Sequence, residues 1–209
     1  MKSKLTKSRK ILISRTMALI LINLFIAFPA IAQDPIQLRI NSTTDVTFNG
    51  TSNVHDWDGK VTVINGNGAF DQAIFNGGNI QDEPVKEVQL TIPVKSMESG
   101  KGKMNEIMYD ALKANDHPQI RYELISSEIV RDRGDEFLLA TKGNLTVAGV
   151  TQQISLQVKG ERLDGQRIRF KGNKSLQMTD FKIKPPKALF GAIKSGNAVN
   201  VRFTAVFHK

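Results

Sequence analysis

Beyond residue 33 apolar and polar residues alternate over most of the chain, the period-two signature of strands with one buried face. Ile36, Leu38 and Ile40 alternate with Gln37, Arg39 and Asn41, and Val46 and Phe48 resume the rhythm after the polar residues 42–45. Val88, Leu90, Ile92 and Val94 stand against Glu87, Gln89, Thr91 and Lys95, with Pro93 marking an edge or an exit. Residues 120–130 and 136–147 predict two more strands across a charged turn at 131–135. Ala148-Gly149-Val150 makes a tight connection into Ile154, Leu156 and Val158, and Asp164-Gly165 is a hairpin signal before Ile168 and Phe170. Val199, Val201, Phe203, Ala205 and Phe207 form the clearest strand, at the end of the chain. Val61, Val63 and Ile64 predict another, ended by Asn65-Gly66-Asn67-Gly68. Residues 49–58 read as a turn-rich segment, and Gly77-Gly78 closes an irregular stretch around Phe70, Ile74 and Phe75.

One stretch changes period. Met104, Ile107, Met108, Ala111 and Leu112 recur at helical spacing and predict a single amphipathic helix, which Asn115, Asp116 and Pro118 stop. About eight or nine strands with short turns and no βαβ rhythm point to an all-β fold. The expected form is a closed antiparallel barrel of about eight strands with one short helix, because closure removes exposed edges. Such a barrel either fills its interior with side chains or holds one small ligand. Residues 181–196 break the pattern, being too apolar for a solvated loop and interrupted by Pro185-Pro186. They read either as a flap over a barrel mouth with lysines at the rim or as a cap on the core.

The first residues change the picture of charge. Lys2, Lys4, Lys7, Arg9, Lys10 and Arg15 precede the apolar residues 17–28 and the Ala30-Ile31-Ala32 cleavage pattern, so residues 1–32 read as a signal peptide. Its removal takes the formal net charge from +9 to +3 over the remaining 177 residues, which is no argument for a nucleic-acid partner. Residues 33–209 then form one barrel domain with no stable membrane span. The chain has no cysteine, so thiol chemistry and a lipid-modified cysteine are excluded and stability must come from burial and a closed ladder. Export without disulfides points to a bacterial periplasm.

Several motifs carry a resemblance. Phe48 with the turn up to Gly59, the run from Val88 to Ser99, and the helix leading into His117-Pro118-Gln119-Ile120-Arg121-Tyr122 are three of them. The most specific is Gly143-Asn144-Leu145-Thr146-Val147-Ala148-Gly149-Val150-Thr151-Gln152, a strand, a turn and a return strand; Asp180-Phe181 and the last strand also match. On these the chain resembles the YceI-like family of exported lipid-binding proteins. The resemblance implies an extended lipocalin-like barrel whose apolar interior holds an isoprenoid chain, such as a polyisoprenoid or isoprenoid quinone, or another amphiphile. It implies no catalytic residue and no required cofactor, and leaves a homodimer open.

A site for such a chain needs apolar area, not reactive groups. The candidate wall is Phe48, Leu90, Ile92, Ile120, Tyr122, Leu156, Phe170, Val201 and Phe203, with Met104 and Met108 of the helix as its adaptable end. The rival chemistry is a metal hydrolase using His55, Asp56, Asp58, His117 and His208, but no pair of histidines has H-E-x-x-H spacing and no serine lies in a G-x-S-x-G setting. A third reading is a non-catalytic interaction module presenting residues 181–196 and Asp56-Trp57-Asp58.

Overall fold

The alternation becomes one antiparallel sheet in the computed structural model, which describes residues 34–76 and 83–209. In chain order it runs β1 (Ile36–Ile40), β2 (Asp45–Ser52), β3 (Trp57–Val61), β4 (Asn65–Phe70), the short helix α1 (Ala73–Asn76), β5 (Val85–Pro93) and β6 (Met97–Glu98). The helix α2 (Gly102–Ala111) follows, then β7 (Gln119–Arg133), β8 (Glu136–Val147), β9 (Val150–Asp164), β10 (Arg167–Gln177), the two-residue β11 (Lys187–Ala188) and β12 (Ile193–His208). The hydrogen-bonded path β1-β4-β5-β7-β8-β9-β10-β12 closes on itself through Arg39↔His208 and Ile40↔Phe207, giving an eight-stranded barrel. β1 and β2 follow one another along the same edge of β12, since Val46 opposes Phe203 where Ile40 opposes Phe207. β3 and β6 extend the wall beyond β2. The expected fold class is therefore observed, and the reason is physical: one apolar face per strand is satisfied by curling the sheet until its first and last strands meet.

One end of the barrel is solid. Phe70, Phe137, Phe170 and Phe207 come from four strands and pack at centroid separations of 5.2 to 6.0 Å. Leu38, Ile74, Leu139 and Ile168 are fully buried among them. Arg162 seals this floor, with its guanidinium carbon 4.6 Å from the Phe137 ring centre. It donates to Asp132 at 2.9 and 3.0 Å, to the Ile74 carbonyl at 2.7 Å, and to the Gly134 carbonyl.

Several elements differ locally from the pattern the sequence predicts. Residues 49–58 are not one turn: β2 runs to Ser52 and β3 begins at Trp57, leaving residues 53–56 as the hairpin. Asn65-Gly66-Asn67-Gly68 does not end a strand but begins β4, while residues 62–64 form the break. These glycines mark close approach and not a turn: a Cβ on Gly66 would stand 2.5 Å from a Leu90 methyl and 2.6 Å from the Gln89 carbonyl. β7 runs through Arg133, so the charged turn shrinks to residues 134–135. Pro93 ends β5, the exit that its missing N–H dictates. β12 starts at Ile193, inside the segment expected to lie off the strands. The signal peptide at 1–32 and the Gly77-Gly78 turn lie outside the described residues.

The β8–β9 turn shows why its motif is specific. Ala148 and Gly149 both have positive φ, 49° and 80°, the pairing that lets a two-residue turn follow the strand twist. A Cβ on Gly149 would stand 2.5 Å from the His117 ring, which the motif after the helix lays over the turn. Gly149→Ala is expected to cost about 2 kcal/mol, lowering the midpoint of thermal unfolding by about 4–8 °C in a scan followed by circular dichroism.

Candidate functional site

Above the phenylalanine floor the side chains stop meeting. They surround a cavity of about 590 Å³ whose wall is almost wholly apolar. All eleven candidate wall residues line it: Phe48 from β2, Leu90 and Ile92 from β5, Ile120 and Tyr122 from β7, Leu156 from β9, Phe170 from β10, Val201 and Phe203 from β12, and Met104 and Met108 from α2. Nine of them are only half-buried although they point inward; Phe48 and Phe170, next to packed neighbours, are the two buried ones. Inward residues keep accessible surface only if they face space. The outward positions of β9, Thr151, Gln153, Ser155, Gln157 and Lys159, are polar and exposed, so the outer wall suits water.

The helix is placed to serve this hollow. Among the described residues β6 pairs only with β3, so the wall has no ladder between β6 and β7, and α2 lies in the chain between them. Tyr109 Oη donates to the Met97 carbonyl at 2.8 Å, and Asn105 Oδ1 accepts from Ser99 N and Oγ at 2.8 and 2.7 Å, fixing the helix to β6 and the residues after it. The stripe Met104, Ile107, Met108, Ala111 and Leu112 lines the cavity, and no residue of the helix is buried. Leu112, Ile120 and Leu145 also touch a second small core of Val147, Ala148, Phe181 and Ile183 beside the cavity.

A further opening in the ladder lies on the other side. β9 and β10 pair from Asp164↔Arg167 to Lys159↔Lys171 and no further. Beyond that point Lys174 Nζ donates to the Ser155 carbonyl at 3.1 Å and Gln152 Nε2 donates to the Asp180 carbonyl at 2.8 Å, so side chains bridge where backbone bonds stop. The connection 178–192 passes this region: Phe181 and Ile183 near its start are buried, whereas Leu189 and Phe190 near its end are exposed. The segment thus acts at once as cap and as rim.

Tyr122 and Thr141 bring two hydroxyls to the largely apolar wall, from the neighbouring strands β7 and β8. Burial pushes the Tyr122 phenol up from its ordinary value, partly offset by the Thr141 hydroxyl, so it stays neutral at physiological pH. The tyrosine ring lies over Gly143, where a Cβ would stand 2.5 Å away.

Residues absent from the sequence candidates also line the cavity. Ile107 and Ile154 are in phase with the candidates Met104, Met108 and Leu156, so the periodicity already contained them, whereas Leu145 lies on β8, a strand from which no candidate came. Trp57 lines it from a position read as turn; its indole N–H donates to the Thr51 carbonyl at 2.9 Å and its ring covers Gly50. Nothing in its local sequence signalled a strand. The histidines do not assemble: His55 lies in the turn before β3, His117 against the β8–β9 turn, and His208 at the far end of β12 opposite Arg39 and Arg167. Among the described residues no three metal-ligating side chains form a group, and no helix is long and apolar enough to cross a membrane.

Among solved structures the fold is similar to Burkholderia cenocepacia BcnA (17% identity over 78% of this chain and 95% of that one, TM-score 0.61). It is also similar to a polyisoprenoid binding domain from Saccharophagus degradans implicated in plant cell wall breakdown (16% identity, 83% and 98% covered, TM-score 0.62). A third is the Campylobacter jejuni YCEI protein (19% identity, 72% and 84% covered, TM-score 0.56). No match was found among curated proteins. At these identities the structures speak to the fold, but the family model described as YceI-like domain matches residues 39–207, nearly the whole barrel from β1 to β12. The chain therefore belongs to the YceI-like domain family.

Proposed function

We propose that this protein is a non-catalytic binding protein of the periplasm that holds an amphiphilic isoprenoid, or a lipid of similar shape, in the barrel interior. The observation that carries the reading is the hollow itself, about 590 Å³ bounded by apolar atoms where a barrel of this size has the option of a filled core. A dry apolar cavity of about 150 Å³ takes up one benzene, so this one has room for about 24 carbons, or about five isoprene units. Each methylene withdrawn from water contributes about 0.8 kcal/mol, so occupancy needs no reactive group. The Tyr122 and Thr141 hydroxyls offer one polar contact for an alcohol or quinone oxygen. That a solved relative in fold is described as a polyisoprenoid binding domain supports the same ligand class. Residues 1–32 have the signal-peptide pattern that would deliver the barrel to the periplasm.

Native mass spectrometry of protein purified from its own cell envelope tests this directly: a co-purifying isoprenoid lipid or quinone is expected, and an empty barrel that also refuses added polyprenols would refute it. Affinity for polyprenols should rise with length up to about 25 carbons and then level off, because later units lie outside the cavity. Titration with a series of polyprenols checks the plateau.

A further inference from the structure

The segment joining β10 to β12 turns two pairs of apolar residues in opposite directions. Phe181 and Ile183 are buried in the small core beside the cavity. Leu189 and Phe190 are 70% and 113% exposed, and both have positive φ, 47° and 53°, a conformation that residues with a Cβ avoid. Their neighbours Ala188 and Ile193 line the cavity, so the exposed pair stands at its rim. The 53–56 turn is fastened to the same rim: Asn53 Nδ2 donates to the Ala192 carbonyl at 2.9 Å, and Lys194 N donates to Asn53 Oδ1 at 2.7 Å. That bond brings in Val54, 62% exposed.

Charge surrounds this apolar tip. Lys182, Lys184 and Lys187 lie on the segment, Lys194 at the start of β12 opposite Lys187, and Lys101 just before α2, with Lys101 and Lys187 lining the cavity. Among the described residues none of these five is in an ion pair. Asp180 and Asp56 are the acidic groups on the two linked segments, so the rim is net positive. We propose that this rim is the docking surface for a bilayer containing anionic phospholipid. Leu189, Phe190 and Val54 enter the boundary between headgroups and acyl chains while the lysines meet lipid phosphates. Projecting side chains with dispersed, unpaired lysines suit a fluid surface of diffuse negative charge; a protein partner would have to offer a shaped pocket. Docking here would set the cavity mouth against the bilayer, a purpose that rests on the lipid-binding reading above, although the docking itself does not.

The test is co-sedimentation of residues 33–209, which contain the complete ladder and core, with vesicles of phosphatidylethanolamine and phosphatidylglycerol. Binding that weakens with added salt and is poor on phosphatidylcholine vesicles is expected. Leu189→Asp with Phe190→Asp should lower it by about tenfold or more, and Lys182→Glu with Lys184→Glu, which do not line the cavity, by a comparable factor. Both variants should still take up a polyprenol presented in detergent, which separates docking from cargo binding. Absence of vesicle binding by the unaltered chain, or undiminished binding by the Asp pair, would overturn the proposal and leave the cavity reading intact. Vesicle binding that is lost in the variants, from a barrel that takes up no polyprenol, would support docking while sinking the cargo reading.

Discussion

Phe203→Asp is expected to lower polyprenol affinity by more than about 100-fold. Phe203 sits on β12 opposite Val46, its ring over Gly172, and faces the cavity half-buried. An aspartate there either carries a charge into an apolar hollow or takes up a proton to avoid doing so. In both cases a polar group must lie without partners beside a hydrocarbon chain, at a cost of about 3 kcal/mol or more, which is the stated factor. Bound polyprenol measured by native mass spectrometry, alongside a circular dichroism spectrum to establish folding, gives the answer. Leu156→Trp adds volume from the β9 wall without adding charge and covers the case in which the aspartate variant does not fold. It should reduce the bound chain length by about one isoprene unit while leaving shorter chains bound. Full uptake by a folded aspartate variant would remove Phe203 from the wall.

The second large effect lies at the opposite end and concerns stability. Arg162→Met should cost about 3 kcal/mol and lower the midpoint of thermal unfolding by about 6–12 °C. The Arg162 side chain is 5% exposed, and its one guanidinium serves the Asp132 carboxylate and two backbone carbonyls while lying on Phe137. Removal leaves the Ile74 and Gly134 carbonyls without that donor and Asp132, 24% exposed, without its counter-ion. Lysine should not restore the loss, because an ammonium cannot present the planar fork that reaches carboxylate and carbonyls together. A double-mutant cycle with Asp132→Asn reads the pair's own share, and an unchanged unfolding midpoint for Arg162→Met would show that the floor does not depend on this contact.

Alternation of residues such as Leu90, Tyr122, Leu156 and Phe203 was enough to assign strands, to say which side chains share a face, and to favour a closed barrel with one amphipathic helix. The stripe on α2 was equally legible, because helical spacing differs from strand spacing within two turns. Other features were not. Gly66 and Gly68 belong to a strand because Leu90 and the Glu87 carbonyl of β5 press against them, and no local rule contains that neighbour. Arg162 looks like any charged strand residue until Asp132, Phe137 and Ile74 converge on it. The period of a strand settles the face a residue takes but carries no information on how far the opposite wall stands from it. Whether inward residues touch or leave room depends on strand tilt, on where the ladders between β6 and β7 and between β9 and β10 lapse, and on four phenylalanines gathering at one end. Those are distances across the barrel, set only when all its strands are in place, which is why the barrel could be read from the chain and the hollow could not.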